Sequence, residues 1–162
     1  MKDFDYTNHW IKTHGDLVID IVRIYLGVGL FWKGLYFASH TNYLIGLMEE
    51  SGALWFASGA VAHLVIIAHL VGGFFLTIGL LTRGAALIQV PILVVAVFFV
   101  NFGKAFGAMQ QRENLEFSAL VLFLLVLISI YGAGRWSVDY ALARKENERL
   151  FSTEEHHQRT LA

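Results

Sequence analysis

The chain of 162 residues has no cysteine. That excludes disulfides, thiol relays, cysteine-ligated zinc, iron–sulfur clusters and haem attached through cysteine. It has a single proline, Pro91, so almost nothing interrupts long helices. Charge is scarce as well, at 15% of residues, and the net charge of −1 gives no basic surface for nucleic acid. The first fifteen residues, MKDFDYTNHWIKTHG, lack the apolar run of a cleavable signal peptide and are expected to be retained. No Ser-based triad, phosphate loop or dinucleotide fingerprint is present.

What remains is apolar: 56% of residues are hydrophobic, gathered into four long runs. Runs of 18 or more apolar residues are long enough to cross a bilayer as helices. The expected fold is therefore all-α, an integral membrane four-helix bundle. Span one is expected over Asp16–Ala38, span two over Trp55–Leu81, span three over Ala85–Phe102 and span four over Leu115–Tyr131. Residues 1–15 would form an interfacial segment, resting on the membrane through Phe4, Trp10 and Ile11. Residues 16–136 would form the membrane domain and 137–162 a cytoplasmic tail, with a charged helix at Asp139–Leu150 and a disordered last dozen residues. The loop Ser39–Leu54 has the makings of a short interfacial helix at Tyr43–Met48. Pro91 should bend span three.

Lysine and arginine set the orientation. Lys2, Lys12, Arg83, Arg135, Arg144, Lys145, Arg149 and Arg159 fall on one side, against Lys104 and Arg112 on the other, so both termini are expected in the cytoplasm.

The polar residues inside the runs are the candidate site. A charge at mid-membrane costs roughly 2.5–3.5 kcal/mol on insertion scales, so it faces the bundle and finds a partner. Asp16, Asp20, Arg23, Gly27 and Gly34 share one helical face, and Asp20 and Arg23 are one turn apart. They read either as a structural ion pair or as a proton or anion site. In span two, His69 lies just before Gly72 and Gly73, in a stripe of small residues with Ala68 and Gly79 that lets another helix come close. Its ring reads as an interhelical hydrogen bond, to Asp20, Gln89 or a backbone carbonyl, or as a donor to a quinone carbonyl. Gly72 and Gly79 are expected against span one near Gly27. His63 is six residues from His69, about 120° around the helix, so the two cannot ligate one iron or metal ion. Haem and metal are thus not expected. Glu116 opens span four, where the helix N-terminus favours negative charge, and it is placed at the depth of Lys33 and His63. The candidate quinone or polar interior site is His69, His63, Arg23, Asp20 and Glu116, with no catalytic residue assigned.

Three segments, RIYLGVGLFWKGL at Arg23–Leu35, GGFFLTIGLLTRGAAL at Gly72–Leu87 and GAGRWSVDY at Gly132–Tyr140, together resemble the DoxX family of small four-helix bacterial membrane proteins. They look like its Arg-x-x-Leu-Gly opening, its Gly-rich second span with a Thr-Arg exit, and its Gly-x-Gly-Arg-x-Ser-x-Asp ending. The resemblance covers about residues 17–140, with one departure: His69 stands where relatives often carry an acid. It implies a multi-pass subunit of the bacterial inner membrane, near redox chemistry such as thiosulfate:quinone oxidation. Such a subunit would act as anchor or quinone-adjacent surface of an oxidoreductase or respiratory complex, without catalysis of its own. Its partners would be the bilayer and a larger complex or further copies of itself, with quinone as the one cofactor implied. Two other readings stay open, a small oligomeric transporter using Asp20, Arg23 and His69, and a quinone-reactive enzyme in its own right.

Overall fold

The computed structural model describes the backbone of residues 2–51, 57–101 and 109–161, and the side chains of 17–50, 57–100 and 112–149. Within these residues the chain is all-helical. The helices are α1 (Lys2–Ser39), α2 (Thr41–Ser51), α3 (Ser58–Ile78), α4 (Thr82–Val95), α5 (Met109–Tyr131) and α6 (Val138–Leu161), and α4 runs on into a π-helical stretch, Ala96–Asn101.

Among the described residues, three helical stretches are long and apolar enough to cross a membrane: Ser58–Ile78, Thr82–Val100 and Arg112–Tyr131. The apolar half of α1 is not among them, because it carries Asp16, Asp20, Arg23 and Lys33. Yet α1 packs along α3, and one core draws on four helices. Leu26 and Leu30 of α1 and Leu76 of α3 meet Ala85, Ala86 and Leu93 of α4 and Val121, Leu125 and Ile128 of α5. A second, smaller cluster seats α2 through Leu44 on Ala62, Val65 and Ile66 of α3. The faces turned away from these cores are also apolar. On α1, Val18, Ile21, Tyr25, Val28, Trp32 and Leu35 are all exposed, at alternating spacings of three and four. Leu64, Ile67, Val71 and Phe74 do the same on α3, and Phe117, Leu120, Phe123 and Ile130 are exposed on α5. A helix with small and polar residues inward and large apolar residues outward is arranged for lipid.

Several boundaries differ from those read in the sequence. The backbone of residues 2–15 belongs to α1; the expected membrane contact of Phe4, Trp10 and Ile11 lies outside the described side chains. The final dozen residues are helical to Leu161 rather than disordered. No glycine or proline falls in Val138–Leu161 to break the hydrogen-bond ladder, and Arg144 pairs with Glu148 one turn on at 3.0 Å. Span four starts earlier than Leu115, because the polar turn Met109–Asn114 is already helical. The small helix expected in the first loop is α2. Pro91 lies inside α4, and the change of helical geometry comes five residues after it, at Ala96.

Candidate functional site

The densest polar construction sits where α1, the end of α3 and the link from α5 to α6 meet. Asp20 and Arg23 are both wholly buried and are joined at 3.0 Å through Oδ1 and Nη2. The last turn of any helix leaves carbonyls without intrahelical partners. Arg23 fills that deficit for α3: Nη1 donates to the Leu76 carbonyl and, at 3.0 Å, to the Thr77 carbonyl. Its Nη2 also donates to the Trp136 carbonyl at 2.9 Å. The other oxygen of Asp20 accepts from the Trp136 backbone N–H at 2.8 Å. One ion pair on α1 therefore ties down two distant segments, by backbone groups alone.

Close approach makes this possible. A Cβ on Gly134 would sit 2.5 Å from the Asp20 carboxyl carbon. Gly79 caps α3 in the left-handed region, with φ 72°, and a Cβ there would lie 2.7 Å from Arg23 Nη1 and 2.6 Å from Ser137 Cβ. Both positions need glycine for space, and Gly79 needs it for backbone angle too.

A second set of bonds, from the start of α6, completes the joint. The Asp139 carboxylate accepts from the N–H groups of Leu81, at 2.8 Å, and Thr82, at 2.9 Å, capping α4 from another helix. The Asp139 N–H in turn donates to the Gly79 carbonyl at 3.0 Å. Ser137 Oγ donates to the Gly134 carbonyl at 2.7 Å and accepts from the Tyr140 N–H at 3.1 Å, capping α6. Leu81 is held at φ 49°, a conformation a non-glycine residue rarely adopts, between these bonds and the glycine before them.

The sequence-predicted site residues fall in separate places. Asp20 and Arg23 meet each other but not His69, which lies seven residues before Leu76 on α3, about 10 Å along the axis at 1.5 Å per residue. The expected hydrogen bond from His69 to another span is replaced by one within its own helix: Nδ1–H donates to the Val65 carbonyl at 2.9 Å. The ring is buried against Gly34 of α1, with Phe37 edge-on at 5.9 Å between centroids. A carbonyl four residues back lies within reach of any helical imidazole, so burial did not oblige His69 to seek a partner helix. His63 is exposed and makes the same local bond, to Gly59 at 2.8 Å. Glu116 is exposed on α5, and no ion pair among the described residues includes it.

The glycine stripe is rotated by one residue from the reading above. Gly73, not Gly72, meets span one: its Cβ would lie 2.5 Å from the Phe31 N and 2.9 Å from the Gly27 carbonyl. Gly72 instead faces α4, at the amide of Gln89, whose Nε2 donates to the Ala68 carbonyl at 2.7 Å. Gly79 meets Arg23. Among the described residues no cluster of His, Asp or Glu could hold a metal ion. The residues missing from the predicted site were Trp136, Ser137 and Asp139. Their only signal was the GAGRWSVDY segment itself.

Local bonding of His69 carries a prediction. His69→Leu will cost at most about 1.5 kcal/mol, the scale of one ordinary hydrogen bond, read as detergent unfolding. A loss of several kcal/mol would mean that the ring holds another helix after all.

Apolar outer faces, three membrane-length helices and an interior fastened by a buried ion pair define an integral membrane protein of the small helical kind. The chain belongs to the DoxX family, whose model matches residues 18–102. That stretch runs from α1 into the π-helical end of α4, and so contains Asp20, Arg23 and His69 but stops short of Gly132–Tyr140. No curated protein matches the chain, and no solved structure matches it.

Proposed function

We propose that the protein is a four-span subunit of the bacterial inner membrane that anchors an oxidoreductase complex linked to quinone, and has no catalysis of its own. The observation that carries the anchoring role is the state of the interior charges. Both oxygens of Asp20 and both terminal nitrogens of Arg23 are taken up by the protein itself. A transporter needs interior charges that exchange partners with a passing ion, and these are committed to each other and to backbone groups in two segments. The redox partner rests on the family resemblance. The quinone-adjacent role would fall to His69: with its proton on Nδ1, the ring leaves Nε2 to accept from a quinol hydroxyl, in place of the donation to a quinone carbonyl expected from the sequence.

The fourth span would be α1. Its outward residues from Val18 to Leu35 are as apolar as those of α3 and α5, and its charges are turned inward or, for Lys33, laid over the Tyr36 and Phe37 rings at 5.5 and 5.0 Å. With four crossings, the excess of Lys and Arg keeps both termini in the cytoplasm. On this cysteine-free background, Asn42→Cys will be labelled by an impermeant maleimide from the outside of the membrane, and Asn147→Cys only after the membrane is opened. Labelling of both from one side would remove a crossing.

The functional reading is tested by purification in mild detergent. The expected result is a larger assembly with flavin or haem absorbance and a quinone-reducing activity that disappears when this chain is deleted. Recovery of the chain alone, or as a homo-oligomer that conducts ions in liposomes, would replace the anchor with the transporter.

A further inference from the structure

At the same end of the molecule as the ion pair, an open cleft separates the α3–α4 turn from the α5–α6 link. Its walls include Thr82, Arg83 and Gly84 on one side and Tyr131, Gly132 and Tyr140 on the other. The Arg83 side chain lies across Gly132, where a Cβ would come within 2.7 Å of its Nε. Arg83 is exposed, and no ion pair among the described residues includes it. The one acid lining the cleft, Asp139, has both oxygens engaged by the N–H groups of Leu81 and Thr82.

Two further features lie at the start of α4, beside the cleft. Thr82 is only 1% exposed, yet its Oγ1 has no hydrogen-bond partner. Along α4 the first N–H bonded back into the helix is that of Ala85, to the Leu81 carbonyl. The N–H groups of Arg83 and Gly84 therefore precede the ladder, and the space where a Gly84 Cβ would project is empty. A cation, a buried hydroxyl and free amides at a helix N-terminus make a receptor for an anion with several oxygens. The rim says where that anion comes from. Leu81, Tyr131 and Tyr140 are all exposed around it, as residues are where a helix end meets the head-groups.

We propose that this cleft binds the phosphate of an anionic phospholipid, with Arg83 as the charged contact and the start of α4 and the Thr82 hydroxyl as donors. The site uses neither Asp20 nor Arg23, so it stands or falls independently of the anchoring role.

Native mass spectrometry of the full chain, released from micelles doped with equal phosphatidylglycerol and phosphatidylcholine, reads the preference directly. The expected result is several-fold greater retention of phosphatidylglycerol. Arg83→Gln should abolish that preference, and Gly84→Glu, which fits the empty space but adds a carboxylate, should abolish it too. Helix content by circular dichroism and elution volume verify that each variant is folded, and the second variant decides if the first is not. Equal retention of the two lipids by the wild type, or an unchanged preference in a folded variant, overturns the proposal. Inorganic phosphate, at ionic strength matched with chloride, should leave the melting temperature unmoved. A phosphate-specific rise without any lipid preference assigns the cleft to a soluble anion and overturns the lipid.

Discussion

Arg23→Met will destabilise the folded protein by roughly 3–5 kcal/mol, the cost of leaving one member of a buried ion pair unpartnered. Four acceptors lose their donor at once: the Asp20 carboxylate and the carbonyls of Leu76, Thr77 and Trp136. The Asp20 carboxylate and the Leu76 carbonyl belong to wholly buried residues and cannot turn to water, while the Thr77 and Trp136 carbonyls are only part-buried. Arg23→Lys keeps the charge but not the fork, since a single ammonium cannot reach groups spread over α1, α3 and the α5–α6 link. It should fall between methionine and the parent. Reversible unfolding in mixed micelles gives the numbers. A loss below about 1 kcal/mol for the methionine variant would mean the guanidinium is hydrated and the joint is not closed.

Gly73→Leu should be nearly as damaging, through packing instead of charge. The backbones of α1 and α3 touch where Gly27 faces Gly73 and Thr77: a Cβ on Gly27 would lie 2.5 Å from the Thr77 N, and one on Gly73 2.5 Å from the Phe31 N. Backbone cannot rotate aside as a side chain does, so the helices must separate. In lipid, packing is the main force that brings them together. Overpacking in ordinary cores costs about 1–3 kcal/mol, and a clash with backbone belongs at or above the upper end. Gly29→Leu is the matched control on α1, since nothing lies within 4 Å of its Cβ position. It should stay within about 0.5 kcal/mol of the parent. Equal melting of the two leucine variants would show that α1 and α3 do not meet at Gly27 and Gly73.

The face of α1 was legible because its spacing is helical and its small and charged residues coincide. Asp20, Arg23, Gly27 and Gly34 are all buried, as their spacing requires. The partners of that face were not legible, and the reason is chemical. The groups that receive Arg23 are backbone carbonyls, which every residue has and no side-chain pattern reveals. Asp139 was missed for a related reason: the N–H groups it caps are 57 and 58 residues away, so its role exists only in the fold. The bonding of His69 was not legible either, because its Nδ1 finds a carbonyl within α3. Burial of a polar side chain predicts a partner, but not that the partner lies across an interface. Polarity misleads at the C-terminus, where few apolar residues suggest disorder but Val138–Leu161, free of glycine and proline, is helical. Of the DoxX resemblance, read over about residues 17–140, the family model matches residues 18–102, from α1 to the end of α4. The third segment of that resemblance turned out to be the clasp that closes those helices.

A double-mutant cycle on Asp20 and Arg23 is the most direct test of the fastener. Asp20→Asn, Arg23→Met and the double variant are unfolded in the same mixed micelles as the parent. If the two residues form one closed joint, the double variant will be markedly more stable than the sum of the single losses allows, with a coupling of about 1.5–3 kcal/mol, the range for contacting partners in one network. Strict additivity would contradict the account, because it would mean that aspartate and arginine act on the fold separately and the interior charge is free for other use.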